Sequence, residues 1–107
     1  MSNDPRAAYD AVTAELALAA GVTPGQMFGM PCLKAGSKAF AGFYQDAMVF
    51  KLGIPAHAQA LALAGAHLFD PSGRGRPMKE WVVVPAEHSD QWSALAEAAR
   101  QYVEKAR

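Results

Sequence analysis

Three extended stretches follow one another between residues 28 and 52, with only two to four residues separating them, and in the last Met48, Phe50 and Leu52 alternate with Val49 and Lys51. The first is Phe28-Gly29-Met30-Pro31-Cys32-Leu33-Lys34, the second runs from Lys38 to Tyr44, and the third is Ala47-Met48-Val49-Phe50-Lys51-Leu52. Ala35-Gly36-Ser37 and Gln45-Asp46 stand between them as turns. Connections this short leave no room for a crossover, so the three strands form an antiparallel meander. Pro31 cannot donate to a ladder, which predicts an edge strand or a bulge around it.

Helices are expected before, after and between the strands. Asp4 followed by Pro5 predicts a capped start, and Tyr9, Val12, Leu16 and Ala19 recur at spacings of three and four, giving a helix over 5–20. Gly21 is the expected C′ residue, with Pro24 barring continuation. Pro55 opens a short helix with Ala58, Leu61 and Ala62 on one face, closed by Gly65. His67-Leu68-Phe69-Asp70 is a brief strand. Met78-Lys79-Glu80-Trp81-Val82-Val83-Val84 is the strongest strand signal, filled by β-branched and aromatic residues and stopped by Pro85. Ser89 is placed to cap a last helix whose buried stripe is Trp92, Leu95, Ala96, Ala99 and Val103. The order α-βββ-α-ββ-α, without regular βαβ alternation, predicts an α+β fold: an antiparallel sheet of about five strands flanked by helices. At 107 residues and 11.4 kDa, residues 1–107 make a single domain.

Composition narrows the function classes. Ten Lys plus Arg balance ten Asp plus Glu, and the pI is near 6.8. That excludes a polyanion binder working through bulk charge. One cysteine excludes an internal disulfide framework and a multi-thiolate metal site. The N-terminus lacks a basic start leading into an apolar run, and the alanine-rich 11–20 segment is too short to span a bilayer. A cytoplasmic protein without a membrane partner is the expectation.

The chemistry-bearing residues form few patterns. Cys32 lies in a strand with no histidine within twenty residues and is expected to be a buried structural thiol rather than a nucleophile. His57, His67 and His88 lack metal-ligand spacing. Asp70 and Glu80 are expected on neighbouring strands as solvated or salt-bridged carboxylates. Gly73-Arg74-Gly75-Arg76-Pro77-Met78 begins like a dinucleotide fingerprint, but Met78 replaces the third glycine and a strand follows instead of a helix. No catalytic, cofactor-binding or metal-binding residue is assigned, and no cofactor is expected. Arg74, Arg76 and Lys79 remain as candidate contacts to a protein partner or a nucleic-acid backbone, since arginine grips phosphate in a bidentate fork. Phe28, Phe40, Phe50, Trp81 and Trp92 are expected in the core, with both tryptophans on the stripes that join sheet to helix. One of Phe43 and Tyr44, on opposite faces of their strand, is expected at the surface.

Met27-Phe28-Gly29-Met30, Lys38-Ala39-Phe40-Ala41-Gly42, Met48-Val49-Phe50-Lys51-Leu52 and above all Gly75-Arg76-Pro77-Met78-Lys79-Glu80-Trp81-Val82-Val83-Val84-Pro85 resemble the N-terminal domain of the TfoX/Sxy competence-regulator family. The related MmcQ/YjbR-like proteins share its general architecture. The resemblance runs over roughly Tyr9 to Val103, and it implies a small bacterial α+β domain with a regulatory role and no catalytic residues. Full-length members carry a second, helical C-terminal domain that is not among these 107 residues. The expected function is a non-enzymatic regulatory or protein-interaction domain with an unknown protein partner. The alternative is a weak nucleic-acid-binding module using the Arg74–Lys79 loop. A homodimer is compatible with either.

Overall fold

The computed structural model describes residues 4–18, 21–27, 29–70, 75 and 78–105. Helix α1 spans Pro5–Leu16, and the Asp4 side chain caps it by accepting the Arg6 N–H at 3.0 Å. It stops four residues before the expected end. Leu16 is the last large apolar residue of its stripe and Leu18 points to solvent, so further turns would bury only alanine.

Six strands follow in one sheet: β1 (Val22–Met27), β2 (Met30–Ala35), β3 (Lys38–Tyr44), β4 (Ala47–Lys51), β5 (His67–Phe69) and β6 (Met78–Pro85). Every pairing is antiparallel, in the order β1-β2-β3-β4-β6-β5. The α+β class, with helices packed on an antiparallel sheet, is the one expected; the sixth strand, β1, is not. Its Pro24-Gly25 pair looks like a breaker. The ladder tolerates it because Gly36 N–H donates to Gly21 C=O at 2.9 Å, and hydrogen-bonded pairs then alternate with non-bonded ones. Pro24↔Leu33 and Gln26↔Pro31 both fall in the non-bonded set, so neither proline removes a β1–β2 hydrogen bond.

Pro31 also departs from its expected edge position. β2 lies inside the sheet, between β1 and β3. The β2–β3 pairing begins only at Cys32↔Gly42, which leaves the missing N–H of Pro31 beyond the ladder. The bulge falls two residues on, where Leu33 pairs Ala41 and Lys34 pairs Ala39. Phe40 is the extra residue, and it and Ala41 both enter the same core.

Helix α2 (Ala56–Leu61), a 3₁₀ segment (Ala86–Gln91) and helix α3 (Trp92–Lys105) complete the chain. Ala60 is the buried residue of α2, while Ala58 and Ala62 of the expected face are exposed. Ser89 sits within the 3₁₀ segment instead of capping α3. The three helices pack on one face of the sheet around Trp92, Phe40, Phe50, Met48, Val82 and Val84. Trp92 is fully buried and donates its indole N–H to Val84 C=O at 3.2 Å.

The opposite face has its own cluster of Met30, Val49, Phe69, Trp81 and Val83, and among the described residues no helical one belongs to it. Trp81 is buried as expected but lies on this far face, two-residue alternation along β6 sending Val82 and Val84 to the helices instead. Phe43 and Tyr44 are both half-buried: Phe43 stacks against Tyr9 with centroids 5.3 Å apart, and Tyr44 meets Phe69 edge-on at 4.9 Å. Phe28 lies outside the described residues.

Candidate functional site

The expected contact residues straddle the described boundary. Arg74 and Arg76 lie outside the described residues; Lys79, near the start of β6, is exposed. At the root of their loop the Gly75 N–H donates to Asp70 Oδ2 at 3.0 Å, and Gly75 takes φ 76°, which favours glycine. The Asp70 carboxylate is thus engaged by the backbone.

Long-range folding brings polar groups to the Lys79-Glu80 stretch of β6. His57, in α2, reaches across with Nε2 2.7 Å from the Lys79 carbonyl oxygen, which fixes that nitrogen as the N–H donor. Glu80 accepts a short hydrogen bond from the Tyr102 hydroxyl of α3, and the Lys51 ammonium stands 3.8 Å from the same carboxylate. The Glu80 carboxylate, followed by burial, pushes the Tyr102 phenol above its ordinary value, so the hydroxyl remains a donor at neutral pH. The Tyr102 ring lies flat enough on Gly53 that a Cβ there would meet ring Cε1 at 2.5 Å. The Lys51 ammonium, the Glu80 carboxylate and the Tyr102 phenol thus share one partly exposed platform, next along the strand to exposed Lys79. No motif in the sequence announces it, because Lys51, Glu80 and Tyr102 come from three separate elements.

The remaining candidates are placed as structural groups. Cys32 is fully buried, and burial raises its thiol pKa against the smaller lowering effect of Lys34. A thiol so placed is poorly ionised at neutral pH. Each histidine is engaged with a backbone carbonyl: His67 Nδ1 with Gly65 O at 3.2 Å and His88 Nε2 with Ala64 O at 2.9 Å, besides His57. Among the described residues, no three His, Cys, Asp or Glu side chains are grouped to hold a metal ion. Nor is any described helix long and apolar enough to cross a membrane.

A cleft of about 730 Å³ opens at the end of the sheet between Gly36, Ser37, Lys38 and the Glu104-Lys105 end of α3. Neither Cys32 nor a histidine lines it. Two narrower clefts run end to end between α2 and α3, with Ala56 and Ala98 common to both.

No protein-family model, curated protein or solved structure matches this chain. What the Lys79 platform can do follows from its own chemistry. Exposed ammonium groups attract carboxylates and phosphates, and the phenol adds a flat donor beside them.

Proposed function

We propose that this chain is a non-enzymatic, cytoplasmic regulatory domain that acts by contacting another protein through the surface around Lys79. The observation that carries this reading is the platform of Lys51, Glu80 and Tyr102, which adjoins the exposed Lys79 in β6. Mixed charges of this kind select an oriented partner more than they supply raw affinity. The likeness of 75–85 to the TfoX/Sxy family supplies the regulatory context. The shielded state of Cys32 supports a role without covalent chemistry.

A second reading, weak binding of a nucleic-acid backbone, is favoured by the cations Arg74, Arg76 and Lys79 in one short segment. With three phosphates engaged, log K would fall with log salt at a slope no steeper than about −2.7. The balanced net charge adds no long-range attraction.

Native capture from a bacterial lysate, run beside a duplex-DNA titration at low and moderate salt, separates the two. Wild type is compared in both with Arg74→Ala/Arg76→Ala/Lys79→Ala. The protein reading expects a captured partner that the triple variant loses, with no DNA binding. DNA binding lost by the triple variant would transfer the function to the second reading. Equal behaviour of both proteins in both assays would remove the loop from the account.

A further inference from the structure

An adjoining surface, which shares Tyr102 with that platform, carries an inference whose test is independent of the Lys79 reading. Ile54, in the link from β4 to α2, is 90% exposed, which is a poor place for a large aliphatic side chain with nothing over it. It stands at the rim of the first α2–α3 cleft, a 260 Å³ space lined also by Pro55, Gln101, Tyr102 and Lys105. The second cleft, 200 Å³, continues toward the start of α3 and has an apolar lining of Ala60, Leu63 and Leu95. Ala98 belongs to both, and so marks their common midpoint.

A projecting apolar group at one end of a groove and an apolar hollow at the other are self-complementary under a two-fold rotation about that midpoint. The residues that α3 and Gln91 just before it offer to the groove follow the same pattern. Gln91, Ala94, Ala98, Gln101 and Lys105 are spaced three, four, three and four apart, the seam of a helix packed against another helix. Ala94 is exposed and Ala98 half-buried, and their small side chains let a second helix approach closely.

The charges agree with the axis. Asp90 and Lys105 are both exposed, and the midpoint between positions 90 and 105 falls at 97.5, beside Ala98. An antiparallel α3 pair crossing at Ala98 therefore brings each Lys105 toward the other chain's Asp90, which lies in the 3₁₀ segment two residues before α3 begins, twice over. A parallel pair would set like against like. The net charge of zero leaves no overall repulsion to oppose the encounter.

We infer that the α2–α3 groove is the interface of a symmetric homodimer, in which Ile54 of each chain fills the Ala60–Leu63–Leu95 hollow of the other. A 14-residue helix is about 21 Å long, so the contact sits near the lower limit of specific interfaces, roughly 1,000 Å² in all, and the dimer is a dissociable one.

Sedimentation equilibrium of the full chain across the micromolar range tests this. Wild type is expected to show a reversible monomer–dimer equilibrium. Ile54→Asp should weaken it at least ~10-fold, as expected for a buried apolar anchor replaced by a charge. Because Ile54 is exposed in the single chain, the melting curve of monomeric Ile54→Asp should match that of monomeric wild type. Asp90→Lys and Lys105→Asp should each weaken the dimer, and the double variant should recover it. Ala98→Cys, on the axis, should form a disulfide-linked dimer under mild oxidation, whereas Ala7→Cys on α1 should not. A wild type that stays monomeric throughout, or a dimer indifferent to Ile54→Asp, would overturn the inference and leave the Lys79 reading untouched.

Discussion

At the residue scale, three side chains make contrasting demands. Trp92 is fully buried against the helix face of the sheet and hydrogen-bonded through its indole. Trp92→Ala is expected to cost about 3–5 kcal/mol in a urea unfolding experiment, through lost transfer energy and the cavity left behind. Gly53 is constrained by its neighbour: a Cβ would sit 2.5 Å from the Tyr102 ring. Gly53→Ala should destabilise by roughly 1–3 kcal/mol through overpacking, and the loss should be far smaller in a Tyr102→Ala background. Additive losses in that double-mutant cycle would show that the ring does not rest on Gly53. Cys32 sets a pH dependence. Burial raises its folded pKa, so the neutral thiol contributes stability that is complete below the unfolded value of about 8.5 and disappears as pH rises through the folded one. Wild type should lose more stability than Cys32→Ala above pH ~8.5, and its thiol should label slowly at pH ~6. Rapid labelling there would reveal a thiolate and reopen enzymatic chemistry.

At the scale of elements, the turns and edges carry the tests. The β3–β4 hairpin closes on Gln45 and Asp46 at φ 47° and 62°, both positive, as the tightest hairpin turn requires. Asp46→Gly should raise stability by roughly 0.5–1 kcal/mol, relieving a left-handed conformation at modest entropic cost. Loss of stability would mean the Asp46 side chain contributes something beyond its backbone. β1 is an edge strand, and Pro24 removes one outward N–H from it. Pro24→Val should leave the fold intact but raise turbidity on concentration, because a further strand could then pair along that edge. The same two prolines explain why the element list was only partly legible. Pro24 and Pro31 announce breaks, and only the alternation of bonded and non-bonded pairs makes both harmless. That alternation depends on where β2 sits, which periodicity does not reveal.

For the whole molecule, a single sheet with a core on each face implies cooperative unfolding. Trp92 reports the helix-facing core and Trp81 the far one. Single-tryptophan variants Trp81→Phe and Trp92→Phe should give superimposable denaturation curves, and separated transitions would show that the two faces melt independently. The sequence by itself determined the α+β class, the meander and its turns, and the burial of Cys32 and both tryptophans. Those features follow from local rules: period-two alternation, short connections and the tendency of large apolar groups to leave water. Tertiary structure decided which face of the sheet each tryptophan meets. It also made β1 a strand, and brought Lys51 and Tyr102 to Glu80. No local rule reaches these, because a strand's partner and a side chain's distant neighbour are chosen by the register of the sheet and the placement of helices across it. Of the candidate site, the chain alone supplied the cations of the 74–79 segment and Glu80 next to them in sequence; the Tyr102 phenol and the Lys51 ammonium meet that carboxylate only in the folded chain.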